Sequence, residues 1–252
     1  ISLGLVGSEM CIRDSVVPEV KVFMSNDENE INFKISVERQ LNEINLAYNC
    51  VIKFKPNLLL LHGSLLPHYL QPSTKEEAEI FDTLVKSYLK LFSLRSTFLA
   101  GVVEDSKGRR FVEWLTSSGF IKDEVKWNDT FLLNFLLDVG EMTKPIAYAK
   151  DETSLPVKEF NKVVKKLWVF YVKTARLDVP LRVEFIGDEK AGYEIAKLIL
   201  FLSRNSTYGL PNVLIEADRR ARITNSLMEL VCSQLRAKLS FLRPLRRERR
   251  PL

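Results

Sequence analysis

Cysteine is scarce in this chain. Its 252 residues hold three, Cys11, Cys50 and Cys232, too few and too scattered for a metal cage or a disulfide framework. A chain of this length buries enough apolar surface to fold without such staples, and a reducing cytoplasm is the compartment expected for it. Apolar runs approaching the roughly 18 residues needed to span a bilayer are lacking, so no membrane anchor is expected. There is no Gly-rich loop of the kind that cradles phosphates, so the chain is not expected to bind ATP itself. Ser64 lacks the flanking glycines of a nucleophile elbow. Internal repeats and Pro/Gly-rich linkers are absent too, so one domain is expected.

What the chain has in excess is positive charge at one end. From Arg219 to Leu252 there are ten Lys/Arg against Glu229 and Glu248, a net of +8 that leaves −3 for the rest of a chain totalling +5. Such asymmetry is the electrostatic footprint of a nucleic-acid-binding protein. A solvated helix with a basic tail would carry the same charge.

The opening residues are set apart. Leu5 to Ser15, reading LVGSEMCIRDS, resembles a translated frame of a sequencing-library adapter, and residues 1–15 are therefore left out of fold reasoning. The native chain is expected to run from Val16, with a domain over 16–242 and a basic tail over 243–252.

Hydrophobic periodicity supplies the elements. Residues 25–32 are polar and turn-like, and Val37, Leu41, Ile44 and Leu46 recur at helical intervals over 33–50. Asn57 to Leu65 is a short apolar run that suits a strand buried on both faces. An amphipathic helix is expected near 76–94, and Phe98–Val103 reads as a second buried strand with a charged, turn-forming exit, Glu104 to Arg110. A helical segment at 128–138, a turn at Gly140, a strand pair at 166–174 and 181–186, and a helix over 188–202 follow. Pro211 to Ile215 reads as a connection or strand before one long basic helix, 216–242. Strands alternating with helices predict an α/β fold, a sheet with helices on its faces.

Four stretches, in order, carry a family resemblance. They are Leu58-Leu-Leu-Leu-His-Gly-Ser-Leu65; Ala100-Gly-Val-Val-Glu-Asp-Ser106; Gly140-Glu with Pro145, Tyr171-Val-Lys173 and Arg182-Val-Glu184; and Leu214-Ile-Glu-Ala-Asp-Arg-Arg-Ala-Arg-Ile223. Together they span roughly residues 35–235 and resemble the NurA family, whose motifs read Asp-Gly-Ser/Pro-Leu, Gly-Val-Val-Lys-Asp-Ser and Leu-x-Glu-Ala-His-Arg/Lys-x-Ala-Arg/Lys-Ile. The resemblance implies an RNase H-like mixed sheet flanked by helices and a homodimeric ring. It also implies manganese (or magnesium) as cofactor, and resection of DNA ends for double-strand break repair beside a HerA-type hexameric translocase. Single-strand endonuclease and 5′–3′ exonuclease activities belong to the same picture. Carboxylate and imidazole donors near strand ends suit a hard divalent ion, which activates water and neutralises charge growing on a phosphate.

Carried over position by position, the resemblance places the catalytic and metal-binding groups at Glu43 (with Glu38 in reserve), His62 and Asp218, and a DNA-holding face at Arg219, Arg220 and Arg222. The family's first-strand Asp is expected upstream of Val16. His62 stands where the family has Asp, and Asp218 where it has His. An exchange of imidazole and carboxylate between two ligands of one metal would conserve the donor set; drift after loss of catalysis would leave the same pair. The family's Lys is here Glu104. Its Tyr falls on Leu210, with Tyr208 two residues away. Asp105 and Lys107 lie at a strand exit, where α/β sites collect ligands. Glu184 is expected to pair with a neighbouring base, His68 to lie on the surface, and Trp114, Trp127 and Trp168 to be core or interface anchors. Three functions stay open at this point: an active nuclease, a non-catalytic subunit that binds DNA and the translocase, and a basic α/β nucleic-acid-binding domain outside the family.

Overall fold

The computed structural model describes residues 27–67, 70–121, 126–147, 167–206, 208–222 and 224–238. Residues 1–15, a first strand upstream of the NurA-like motifs, His68 and the tail over 243–252 lie outside them.

Helix α1, Glu28–Phe54, is longer than its apolar pattern suggested because residues 28–32 of the polar, turn-like stretch belong to it, with Asp27 as its cap. The Asp27 carboxylate accepts from the Asn29 amide at 2.9 Å, and Glu28 and Glu30 in the first turn suit the positive end of the helix dipole. Lys55, at φ 48°, closes the other end ahead of Pro56. Strand β1 is Leu58–His62. Helix α2, Lys75–Phe92, opens on a capping box in which Thr74 and Glu77 satisfy each other's backbone amides. Then come β2 (Phe98–Val103), α3 (Arg110–Ser117), α4 (Asp129–Leu136) and a two-residue β3 (Ile146–Ala147). They are followed by β4 (Leu167–Val172), β5 (Leu181–Ile186), α5 (Glu189–Ser203), α6 (Asn212–Ala221) and α7 (Asn225–Lys238).

The five strands form one mixed sheet in the order β1-β2-β5-β4-β3. β1 and β2 are parallel, whereas β5 runs antiparallel to both β2 and β4. This is the mixed α/β sheet flanked by helices that the sequence predicts. One face packs on α1 and α2 through Leu61, Leu99, Leu84, Tyr88 and Ile44. The other carries Ala100, Val102, Val183 and Phe185 under α5 and α6, with Ile195, Ile199 and Leu214. The leucines of β1 divide between the two cores, Leu59 and Leu61 to the first and Leu58 and Leu60 to the second. Only Leu61 of the four is fully buried, because β1 pairs on one side alone among the described residues.

Two expectations near the end of the chain are corrected. Pro211 to Ile215 is neither strand nor connection: Pro211 is the N-cap of α6, and its fixed φ suits a helix start. The single long basic helix is two helices. Arg222 is extended (φ −65°, ψ 119°), and the helix restarts at Thr224-Asn225-Ser226, residue types that compete with the helix backbone and favour caps, with the Met228 amide donating to the Thr224 carbonyl. Trp168 packs against the second core. Trp114 and Trp127, by contrast, stay about half exposed. Trp114 lies between Phe111 and Phe120, and Trp127 against Phe131.

Candidate functional site

Because β1 and β2 run parallel, their carboxyl ends emerge together. In this register His62 lies opposite Val102, so Glu104, two residues further on, can lean back to it. His62 Nε2 is 3.1 Å from Glu104 Oε1, and the two side chains are 47% and 42% exposed. Both are open to solvent at the sheet's end. Glu43, on α1, lies within electrostatic reach of His62. Burial pushes its carboxyl above the ordinary carboxylate range, against a smaller opposing pull from Arg39 and His62.

That shift carries a sign. A carboxyl with a raised folded pKa binds protons more tightly in the folded state, so its contribution to stability falls as pH rises from the unfolded value near 4.5 through the folded one. Glu43→Gln is therefore expected to melt higher than the parent at pH 7 and level with it at about pH 3.5. Equal melting at both pH values would show that burial does not act on this carboxyl.

The turn after β1 is held from below. Gly63 adopts φ 103°, and its amide donates to the Val102 carbonyl at 2.7 Å. Gly101 lies directly beneath: a Cβ there would come within 2.7 Å of both the Gly63 carbonyl oxygen and the Leu65 nitrogen. Ser64 Oγ and the Leu65 amide both donate to Glu184 Oε2, at 2.7 and 2.9 Å. Glu184, 1% exposed on β5, pairs through its other oxygen with Arg182 at 2.6 Å, as the sequence predicts. The Arg182 guanidinium lies against Gly108, in the loop after β2.

The same loop reaches a second buried carboxylate. Asp129, fully buried at the start of α4, accepts from the Tyr171 hydroxyl at 2.6 Å and the Val112 amide at 3.0 Å. Its own amide donates to the Gly108 carbonyl at 2.8 Å. Burial holds the Tyr171 hydroxyl protonated well beyond the usual phenol range. The loops that follow β1 and β2 are thus tied to one polar network under the sheet, built from Glu184, Arg182, Asp129 and Tyr171.

The other sequence-derived candidates lie elsewhere. Asp218 is exposed on α6, one helical turn beyond Leu214, the residue through which that helix packs beside β1. Among the described residues it has no hydrogen-bond partner. Arg219 and Arg220 are exposed and both bond to Glu216, whose carboxyl they hold down to about 2. Arg222 is exposed at the end of α6, Glu38 is half-buried on α1, and Asp105 and Lys107 are exposed beyond β2. Leu210 is a core residue of the α5–α6 side, and Tyr208 is 70% exposed instead of reaching inward.

No three His, Cys, Asp or Glu side chains among the described residues are grouped so as to hold a metal ion. Glu43, His62 and Asp218 therefore do not form a cage: His62 Nε2 is engaged by Glu104, and residue 218 faces solvent. These donors alone do not fit a manganese centre. Glu104, Asp129 and Tyr171 are the groups that sequence reasoning passed over. For Glu104 the signal was there, since it follows a strand that the motif order sets beside β1. Tyr171 opens one of the motif stretches, but nothing in the sequence pairs it with Asp129, which had no signal short of the fold. Among the described residues, no helix is long and apolar enough to cross a membrane.

The NurA domain family matches residues 7–223, a range that takes in part of the adapter-like stretch. No curated protein sequence matches the chain. Among solved structures it is similar to the NurA nuclease from Sulfolobus solfataricus, with TM-score 0.64 and 18% identity over 90% of this chain and 72% of that one. A NurA solved with manganese aligns at TM-score 0.44 and 18% identity, over 66% of this chain and 38% of that one. At such identity the first likeness concerns the fold, while the family match extends over most of the chain. By that match, from the strand that carries His62 to the helix that carries Asp218, the chain belongs to the NurA family.

Proposed function

We propose that this chain is a deoxyribonuclease of the NurA type, cutting single strands and trimming DNA from 5′ ends during double-strand break repair, as a homodimer working with a HerA-type hexameric translocase. The observation that carries this reading is the imidazole–carboxylate group at the joint carboxyl ends of β1 and β2, placed by two of the family's motifs. Hydrolysis of a phosphodiester needs an acceptor for the proton of water and a means of steadying charge on the phosphate. His62 Nδ1, left over when Nε2 faces Glu104, is such an acceptor. Arg222 and the guanidinium groups of Arg219 and Arg220 supply phosphate contacts without reading sequence. Manganese, the cofactor the resemblance implies, would need donors beyond Glu43, His62 and Asp218, and would supply charge neutralisation when bound.

A second reading, a non-catalytic subunit retaining the DNA and translocase contacts, draws on the lack of a three-ligand group among the described residues. Digestion of labelled single-stranded DNA, with and without manganese, separates the two. Cleavage that needs the ion and is lost in His62→Ala and Asp218→Ala, in proteins that still fold, supports the enzyme. DNA or translocase binding without cleavage supports the subunit.

The DNA-holding face has its own test. Glu216 binds both Arg219 and Arg220, so Glu216→Gln releases two cations toward the phosphates. Affinity for single-stranded DNA is expected to rise several-fold at low salt. The slope of log affinity against log salt should steepen by about 0.7 for each further phosphate that is neutralised. An unchanged slope would place the DNA on another surface.

A further inference from the structure

We propose that Glu104 is a positioning residue of this site: it fixes the imidazole of His62, so that the two side chains act as one unit, and Glu104 rather than Asp218 is the counterpart of His62. The pair joins the ends of two parallel strands at 3.1 Å. Each residue has a fixed base. His62 is followed by a turn whose Gly63 amide bonds Val102 and whose Ser64 and Leu65 bond Glu184. Glu104 opens a loop that is pinned at Gly108 by Asp129. Asp218 is a solvent-facing residue of α6 with no such tie.

The sequence departures fit the same arrangement. The family motifs carry Asp at the end of β1 and Lys at the end of β2, and this chain carries His62 and Glu104. The carboxylate has moved from one side of this contact to the other, and a nitrogen base stands opposite it in both cases. A carboxylate on one imidazole nitrogen sets the ring's orientation and leaves the other nitrogen as the acceptor that chemistry uses.

Two cycles on the full chain test this, the first resting on the nuclease reading and the second independent of it. In steady-state cleavage of single-stranded DNA, Glu104→Ala is expected to lower kcat by about 10–100-fold with KM little changed. Glu104→Gln, which keeps an acceptor for the ring N–H, is expected to recover part of the loss. E104A combined with H62N should be no slower than H62N alone, because groups that act as a unit are not additive. Losses that multiply, or a His62–Asp218 cycle that shows coupling where the His62–Glu104 cycle shows none, would overturn the proposal.

The second cycle reads thermal melting. H62D places two carboxylates in contact, and E104K takes the acceptor away from the ring N–H; each is expected to lower Tm by about 1–3 °C. The H62D/E104K double should regain most of that, with the coupling collapsing in 1 M salt. Strictly additive melting shifts would break the pair. If the parent protein cuts no DNA, the nuclease reading falls while the melting cycle still decides whether His62 and Glu104 are partners.

Discussion

Glu184→Ala is expected to be the most damaging single change in the polar network, costing about 3–5 kcal/mol because it removes the carboxylate paired with the buried guanidinium of Arg182. Arg182 is 8% exposed on the central strand β5, too enclosed for water to replace the lost carboxylate. The substitution also removes the acceptor for Ser64 and for the Leu65 amide. At about 2–4 °C per kcal/mol for a domain approaching this size, the melting temperature should fall by roughly 10 °C. The pattern across variants identifies the cause. Glu184→Gln keeps an acceptor for the turn but removes the carboxylate charge beside Arg182, so it should lie between parent and alanine. R182M/E184Q removes the buried cation and keeps that acceptor, and should recover most of the loss. A Glu184→Ala protein melting within 2 °C of the parent would mean that the pair does not hold this end of the sheet.

Gly101→Ala is the second large effect, and it acts through backbone alone. The new methyl group would sit 2.7 Å from the Gly63 carbonyl oxygen and the Leu65 nitrogen, atoms with no rotamer to escape by. Overpacking costs about 1–3 kcal/mol, and a clash against backbone belongs at the upper end, a drop of several degrees. Relief requires the 63–65 turn to rise, and His62 precedes that turn. Cleavage is therefore expected to fall further than stability explains, even below the melting transition. Parental melting and cleavage in Gly101→Ala would show that the turn has room that this geometry denies it.

Both effects concern residues whose importance was unequally visible beforehand. Arg182 and Glu184 share one face of β5 by simple alternation, so their pairing could be read from a strand of six residues. The other end of that interaction could not: Ser64 lies 120 positions away from Glu184, and no local pattern reports such a contact. Gly101 sits in a run that reads as an ordinary buried strand. Only the register of β1 on β2 reveals that the chain doubles back over it. The break between α6 and α7 was hidden for a different reason. The apolar and basic pattern runs on past it, and the cap-forming Thr224-Asn225-Ser226 marks the restart too weakly against that pattern.

Asp218 and Glu104 show the same division at the candidate site. Motif spacing makes Asp218 the natural counterpart of His62, since two unusual residues at two motif positions invite pairing. In the folded chain α6 buries Leu214 but leaves Asp218, one turn further along, exposed, while the parallel pairing of β1 and β2 delivers Glu104 to the ring.

By itself the sequence determined the family, the α/β class and nearly every strand, because those rest on local periodicity and on motifs whose order survives without coordinates. The tertiary structure alone decided which charged groups meet: Glu104 with His62, Glu184 with the turn at Ser64, Asp129 with Tyr171. Such contacts join residues 42 to 120 positions apart. They follow from strand register and from the burial of polar groups that must find partners, neither of which is written in any stretch of neighbouring residues.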